Sequence, residues 1–159
     1  MERVFRISAG AIIIRDNAIL LVRYPRAGGT SYLVGPGGGA FATEGIYQTA
    51  IREVREETGL EVSPSRILFV EDLLAQRHRI IKIWLLCNLI GGSLAKTKGA
   101  DEEGITEVRW YRQDQLANET VYPTILSSLK WNSFFMENWE TRYLGIQTMD
   151  WQPPPDKEV

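Results

Sequence analysis

The sequence predicts an α/β (α+β) fold in which an α/β/α sandwich is built on a mixed β-sheet. Segments rich in apolar and β-branched residues recur along the chain, one strongly amphipathic helix lies between two of them at 45–58, and a second helical pattern covers 123–137. With 159 residues, the chain is long enough for one domain with a substantial core. We assign residues 1–145 to this domain and expect the tail, 146–159, to be extended or disordered.

The strands are predicted from apolar runs that are bounded by turn residues. Asp16 and Asn17 form a turn signal that makes the first two strands a hairpin. Glycine, proline and polar residues mark loops at 24–30 and 90–104, and a short helix is expected at 114–117. The predicted strands cover 4–14, with a bend at Gly10, and 18–22, 31–34, 67–74, 78–89 and 105–111.

The helix at 45–58 is the best-defined element. Thr43 is predicted to cap its N-terminus, and Gly59 suits the position after its C-terminus, which needs a positive φ. Apolar residues recur at helical spacing and predict a face that is directed to the core. These residues are Ile46, Tyr47, Ala50, Ile51 and Val54.

Three carboxylates share one flank of this helix, at the rim of its apolar face. Glu53, Glu56 and Glu57 lie three, four and one residues apart, so their charges repel. A bound Mg²⁺, which prefers carboxylate oxygens, would reverse that penalty. The alternative is a solvated acidic face, but such a face would lie opposite the apolar residues and include basic partners. Arg52 and Arg55 lie elsewhere on the helical wheel.

A wider pattern surrounds these acids. From Gly38 to Leu60 the chain contains GGAFATEGIYQTAIREVREETGL, which has the spacing G-x5-E-x7-R-E-V-x-E-E-x-G-L. The preceding LVGPGGG segment lets the backbone approach a metal or phosphate closely. The pattern resembles the signature of the MutT-like Nudix hydrolases. This resemblance implies the Nudix architecture and Mg²⁺-dependent hydrolysis, with Mn²⁺ as a substitute, of a diphosphate bond. The substrate would be a nucleoside diphosphate linked to another group, such as a nucleoside triphosphate or a nucleotide sugar.

The resemblance also implies a role for each matching residue. The catalytic set would include an ion pair between Arg52 and Glu44 that holds the carboxylates in place. The metal ligands would be Glu56 and Glu57, with Glu53 as a further ligand or the group that orients the attacking water, and the carbonyl group of Gly38.

Other candidate residues lie outside the acidic helix. In many Nudix relatives an acid from the loop at 101–103 approaches the metals, so Glu102 or Glu103 would be a ligand or general base, or else part of an exposed acidic loop. Arg23 would bind a phosphate or lie exposed to solvent. Gly37 and Gly39 would contact the substrate through their backbone.

Composition and charge exclude several classes of function. The net charge of −2 gives no general attraction to nucleic acid polymers. No apolar stretch is long enough to span a bilayer, and the N-terminus lacks the apolar core of a signal peptide. The single cysteine, Cys87, cannot form an internal disulfide and is expected to be buried, so we expect a reducing cytoplasm. The lone histidine, His78, is expected to be structural or exposed.

Several alternatives remain open at this level. The chain could be a non-catalytic Nudix-fold domain that binds a ligand. It could also be an isomerase of the isopentenyl diphosphate type, but that would need a catalytic cysteine near the site, and Cys87, in an apolar strand, is poorly placed for this role. Marks of the ADP-ribose, dinucleoside polyphosphate and coenzyme A subgroups are not evident, so the leaving group is not predicted. Aromatic residues of the C-terminal third serve core packing, a homodimer contact or base stacking. They are Trp131, Phe134, Phe135, Trp139, Tyr143 and Trp151.

Overall fold

The computed structural model describes residues 2–149, and these form two five-stranded sheets and two α-helices. The elements are β1 Val4–Ile12, β2 Ile14–Arg15, β3 Ala18–Pro25, β4 Ser31–Val34, β5 Gly37–Gly39, α1 Ile46–Thr58, β6 Leu60–Leu74, β7 His78–Gly92, α2 Lys98–Glu102, β8 Glu107–Arg112, β9 Val121–Tyr122 and β10 Arg142–Thr148. The first sheet has the strand order β10-β6-β7-β1-β5, and in the second, β2-β3-β4-β9, strand β8 also pairs with β3. Parallel and antiparallel pairs occur together, so the predicted mixed α+β fold is confirmed.

Helix α1 forms where the sequence predicts it, and Gly59 follows it with a φ of 74°. Its N-cap is Gly45, so the prediction of Thr43 is wrong; the Gly45 amide donates to Oε1 of Gln48 over 3.0 Å. Ala50 and Val54 pack into the core as predicted, whereas Tyr47 is 42% exposed at the edge of the predicted apolar face.

The C-terminal third differs from the predicted helix at 123–137. Two short 3-10 helices take its place, at Thr124–Ser127 and Trp131–Phe135. The hydroxyl groups of Ser128 and Ser133 donate to the carbonyl groups of Ile125 and Lys130, and such local bonds compete with a continuous α-helix.

Three of the six C-terminal aromatic residues, Trp131, Phe134 and Trp139, pack into the core, which was one of the predicted alternatives. Phe69 of β6 makes edge-to-face contacts with Phe134 and Trp139, at ring centroid distances of 5.6 and 5.7 Å. Trp131 is buried, whereas Phe135 and Tyr143 are exposed; Trp151 lies outside the described residues.

Several predicted boundaries are wrong because paired strands continue beyond their apolar runs. Strand β6 begins at Leu60 and β7 ends at Gly92, so part of the predicted loop at 90–104 is strand, and α2 lies in the rest. Strand β3 continues to Pro25, whereas β1 ends at Ile12, before its predicted end at residue 14. A 3-10 helix, Gln113–Leu116, takes the place of the short helix predicted at 114–117. Strand β10 crosses the boundary predicted at 145, and residues 150–159 of the predicted tail lie outside the described range.

The register of the first sheet brings four residues into one row on one face. Glu71 of β6 lies opposite Lys82 of β7, Lys82 lies opposite Ser8 of β1, and Ser8 lies opposite Gly39 of β5. Directly paired residues project from the same side of a sheet. This row, Glu71-Lys82-Ser8-Gly39, is called the floor row below. No helix among the described residues is long and apolar enough to cross a membrane.

Candidate active site

A cleft of about 1290 Å³ opens over the floor row. Its walls include the glycine strand β5, the carboxyl groups of Glu53 and Glu103, and three tyrosines from the second sheet. The tyrosines are Tyr24, Tyr32 and Tyr122. Small-molecule sites are commonly about 300–1,000 Å³, so this cleft has room for a substrate with groups on both sides of a reacting bond.

Glu53 lies directly beneath the glycine strand. It is 3% exposed, and a side chain on Gly38 would overlap with Oε1 of Glu53. Glycine at position 38 therefore lets the backbone lie against this carboxylate. The contact explains why a glycine fifteen residues before Glu53 belongs to the same pattern.

Glu57, one turn further along α1, is the most deeply buried acid of the helix. It is 1% exposed and accepts hydrogen bonds from the Gly37 amide, over 2.9 Å, and from the Tyr24 hydroxyl, over 3.3 Å. Burial raises the pKa of Glu57 well above its usual range, and the negative charges of Glu53 and Glu103 raise it further. These two buried glutamates are therefore not the solvated acidic face considered as an alternative.

Arg52 connects the acids of the helix to the loop before it. Its guanidinium makes a two-pronged ion pair with Glu44, with Nε–Oε1 and Nη2–Oε2 distances of 2.8 and 2.9 Å. It also donates to Oε1 of Glu53 over 2.8 Å, to Oε2 of Glu56 over 3.3 Å and to the Gly39 carbonyl over 2.9 Å. The predicted Arg52–Glu44 pair is thus present and orients Glu53.

Replacing Glu44 with glutamine should destabilise the protein by about 1–3 kcal/mol, because Glu44 is largely buried and also accepts bonds from Thr49 and Phe41. Hydrogen bonds from Arg52 lower the pKa of Glu44 to about 2, from 4.5. Its stabilisation is therefore present above about pH 4.5 and is lost as the pH falls toward 2.

Urea denaturation of the wild type and Glu44→Gln between about pH 7 and pH 3 measures this effect. We expect the difference in free energy of unfolding to shrink below about pH 4.5. A difference that stays constant with pH would contradict the ion-pair origin. The exposed Glu102→Gln variant serves as control, since its partner Lys98 is 3.7 Å away at the surface.

Comparison with known proteins identifies the family. The model of the NUDIX domain matches residues 4–131. The chain belongs to the Nudix family. The chain is 35% identical over 81 residues to the 8-oxo-dGDP phosphatase NUDT18 of Danio rerio, but the match spans 51% of this chain and only 24% of that protein. It is 25% identical over 114 residues to the uncharacterized Nudix hydrolase YvcI of Bacillus subtilis, covering 70% of this chain and 69% of that protein.

A solved structure shows the same fold. The ADP-ribose pyrophosphatase of Streptococcus suis superposes with a TM-score of 0.64 at 23% identity, covering 87% of this chain and 98% of that chain. The predicted resemblance to the MutT-like Nudix proteins and the predicted Nudix-type fold are thus confirmed.

The donor set of the Nudix site fits a hard divalent cation. Glu53 and Glu57 supply buried carboxylate oxygens, and a bound cation would favour the ionised form of Glu57, whose pKa is raised by burial and by the charge of Glu53. Among residues 2–149, no three acidic, histidine or cysteine side chains converge into a ready metal cage. Mg²⁺ commonly takes one or two carboxylates together with waters and substrate phosphates, so a full cage is not required.

The remaining predicted residues differ in whether they line the cleft. Gly37, Gly39 and Glu103 line it, which distinguishes Glu103 from the exposed Glu102. Glu56 does not line it; it is about one-third exposed and accepts a bond from Arg52.

Arg23 lies outside the cleft lining and is engaged elsewhere. Its guanidinium pairs with both carboxylate oxygens of Glu119 over 2.8 and 2.9 Å and also donates to Tyr111, Ser31 and Glu107. With each of its N–H-bearing nitrogens engaged in this cluster, the structure does not support the predicted phosphate-binding role of Arg23.

Four further charged residues line the cleft although sequence reasoning did not select them: Arg6, Arg26, Glu71 and Lys82. Glu71 and Lys82 belong to the floor row, and Arg26 lies over the rings of Tyr32 and Tyr122, at 4.8 and 5.4 Å from their centroids. A signal was present for Lys82, because it is the only charged residue between Arg79 and Lys96 in an otherwise apolar strand segment.

Cys87 is 2% exposed, and burial raises the pKa of its thiol to about 12. A thiol in this state is a poor nucleophile or acid catalyst, so the isomerase alternative finds no support. His78 begins β7, is partly buried and does not line the cleft.

Proposed function

We propose that this chain is a Mg²⁺-dependent hydrolase that cleaves a diphosphate bond in a nucleoside diphosphate linked to another group. The observation that carries the proposal is the buried Glu53–Glu57 pair beneath the glycine strand, with Glu53 at the wall of a large cleft. Two ionised carboxylates this close repel each other, and a bound divalent cation would offset that repulsion. Family membership supports the same reaction class, since Nudix proteins hydrolyse diphosphates with divalent metal.

In this proposal the residues of the chain have separate tasks. Glu53, Glu57 and Glu103, with Glu56 at the rim, would hold Mg²⁺, and the carbonyl group of Gly38 would complete the protein's contribution. Bound Mg²⁺ supplies Lewis acidity and neutralises charge on the phosphate oxygens.

Glu53 has the further task of orienting the attacking water and accepting its proton, for which Arg52 fixes its carboxylate. Glu44 in turn fixes Arg52. Water attacks a phosphorus atom in line with the bridging oxygen, which leaves with the other half of the substrate.

The cleft favours a nucleotide-type substrate over a small inorganic diphosphate. Tyr24 and Tyr32 stack at a centroid distance of 5.5 Å, and Tyr122 meets Tyr32 edge to face, so an aromatic wall stands beside the carboxylates. Rings of this kind accept a base or sugar face. Relatives act on 8-oxo-dGDP in one case and on ADP-ribose in another, and both substrates contain a nucleoside diphosphate unit.

Phosphate release from a substrate panel tests the proposal. The panel contains nucleoside triphosphates, oxidised nucleoside diphosphates, ADP-ribose, nucleotide sugars and dinucleoside polyphosphates, with Mg²⁺ or Mn²⁺ and with or without added pyrophosphatase and phosphatase. We expect turnover of at least one class and its loss on addition of EDTA.

The non-catalytic alternative gives a different result in the same assay. A ligand-binding domain would bind panel members, measured by calorimetry, without releasing phosphate. The homodimer and the cytoplasmic location stay predictions; size-exclusion chromatography with light scattering tests the first and fractionation of the native cell tests the second.

A further inference from the structure

Lys82 presents an ammonium group at the bottom of the cleft without a close partner. Within residues 2–149, no carboxylate oxygen lies within 4.0 Å of its nitrogen, and no acceptor lies within hydrogen-bond distance. Nζ lies over the ring of the fully buried Trp84, 4.3 Å from its centroid. An ammonium group has three donors, so this one has unused capacity on the side of the cleft.

The floor row places this cation beside the carboxylate site. Lys82 is separated from Gly39 by two strand spacings, about 10 Å, and Ser8, a small residue, stands between them. The flexible four-carbon stem of lysine covers a large part of that distance. Nζ lies over the ring of Trp84, and that ring fills the space above Gly10 and Gly35. The ammonium group is thus on the side of the floor row that leads to the glycine strand, where the reacting bond lies under the proposed function.

The charges around Lys82 agree with this placement. Burial lowers the pKa of Lys82, while Glu71, Glu57 and Glu53 act in the opposite direction at longer range. Glu71 makes no ion pair with Lys82 within 4.0 Å, and its Oε1 accepts the indole N–H of Trp84 over 2.6 Å. Arg52, the nearest cation along α1, is fully engaged with Glu44, Glu53 and the Gly39 carbonyl.

We propose that Lys82 is a phosphate-binding residue, whose ammonium group donates to a nonbridging oxygen of the substrate diphosphate from the sheet side of the cleft. The inference rests on the proposed function, since it places the diphosphate between the carboxylates of α1 and the floor row. It assigns a role in substrate binding to a residue of the sheet, which lies outside the acidic signature. A lysine suits this task because it acts as a point charge toward phosphate.

Binding of methylenediphosphonate, a diphosphate analogue that cannot be hydrolysed, tests this inference without relying on turnover. Isothermal titration calorimetry at fixed Mg²⁺ compares the wild type with Lys82→Met and Lys82→Arg. We expect Kd to rise roughly 10- to 50-fold for Lys82→Met, the loss of one charge-assisted bond, and to stay within about fivefold for Lys82→Arg. Lys98→Met, a change at a fully solvated lysine, should leave Kd unchanged.

A purely structural role for Lys82 makes a different prediction. If the ammonium group only offset the charge of the buried acids, Lys82→Met would leave the affinity for the analogue at saturating Mg²⁺ unchanged. We expect that affinity to fall, while the Mg²⁺-induced rise in Tm is kept or increased because a cation near the site repels the metal. If Lys82→Met fails to fold, Lys82→Gln replaces it, with the same expected loss of affinity.

The outcomes separate this inference from the proposed function. A Kd of Lys82→Met within twofold of the wild type overturns the inference and leaves the hydrolase proposal intact. A wild type that binds the analogue through Lys82 but releases no phosphate from any substrate overturns the hydrolase proposal and leaves the anion site standing. A wild type that does not bind the analogue at any Mg²⁺ concentration overturns the inference.

Discussion

Glu53→Gln should lower kcat by about three orders of magnitude and leave the protein folded. The glutamine oxygen can still accept the bond from Arg52, and the amide fits the space beneath Gly38, so packing is preserved. What is lost is the charge that attracts the metal and accepts a proton from water. Removal of a general base alone costs about 10²–10⁴ in rate, and loss of a metal ligand adds to it.

Phosphate release on the preferred substrate at saturating Mg²⁺ gives kcat, while circular dichroism and Tm report folding. Glu61→Gln is the matched control, because Glu61 is about half exposed on β6 and has only a loose ion pair with Arg55, at 3.7 Å. We expect that control to keep wild-type kcat. If Glu53→Gln kept near-normal turnover, Glu53 would have no part in the chemistry and its role would be structural.

The acidic helix could be predicted from the sequence because two independent signals agree. Ala50 and Val54 set the face that packs on the core, and Gly59 has the positive φ that ends the helix. Glu53 and Glu57, at the rim of that face, are buried in the structure for the same geometric reason, whereas Glu56 is about one-third exposed. Thr43 was wrong as the N-cap because the loop before the helix is fixed by Glu44, which bonds back to the Phe41 amide.

The C-terminal region shows a limit of periodicity. Ile125, Leu126 and Leu129 lie at spacings that suit an α-helix and a series of 3-10 turns equally well, so the pattern does not distinguish them. Ser128 and Ser133 bond to nearby carbonyl groups, and the chain turns instead of continuing as a helix. Tertiary packing around Phe69 then decides the conformation.

The cations of the site could be assigned only from the sheet register. Arg23 is close to the glycine-rich loop in sequence, yet its ion pair is with Glu119, ninety-six residues away. Lys82 is far from the signature in sequence, yet the pairing of β7 with β1 places it on the floor of the cleft. Neither the ion pair of Arg23 nor the position of Lys82 can be predicted from a local sequence pattern, because both depend on which strands are neighbours.

Glu57→Gln should remove the stabilising effect of Mg²⁺ while making the metal-free protein more stable. In the wild type, Mg²⁺ at about 100 times its Kd stabilises the fold by about 2.7 kcal/mol, which is roughly 5–10 °C in Tm for a domain of this size. The variant keeps an oxygen for the Gly37 amide and can donate to the Tyr24 hydroxyl, so it loses the charge and few contacts. Differential scanning calorimetry with Mg²⁺ and with EDTA measures both effects.

The pH dependence of Tm provides a second test of the role of Glu57. Because the pKa of Glu57 is raised in the fold, ionisation costs stability, and the metal-free wild type should lose stability as the pH rises from about 4.5 through that raised pKa. Glu57→Gln cannot ionise there, so its Tm should fall less over the same range and exceed that of the wild type at neutral pH. The prediction would be contradicted if Glu57→Gln were less stable than the metal-free wild type at neutral pH and its Tm still rose with Mg²⁺. Glu57 would then be a structural hydrogen-bond acceptor for Gly37 and Tyr24 and not a metal ligand.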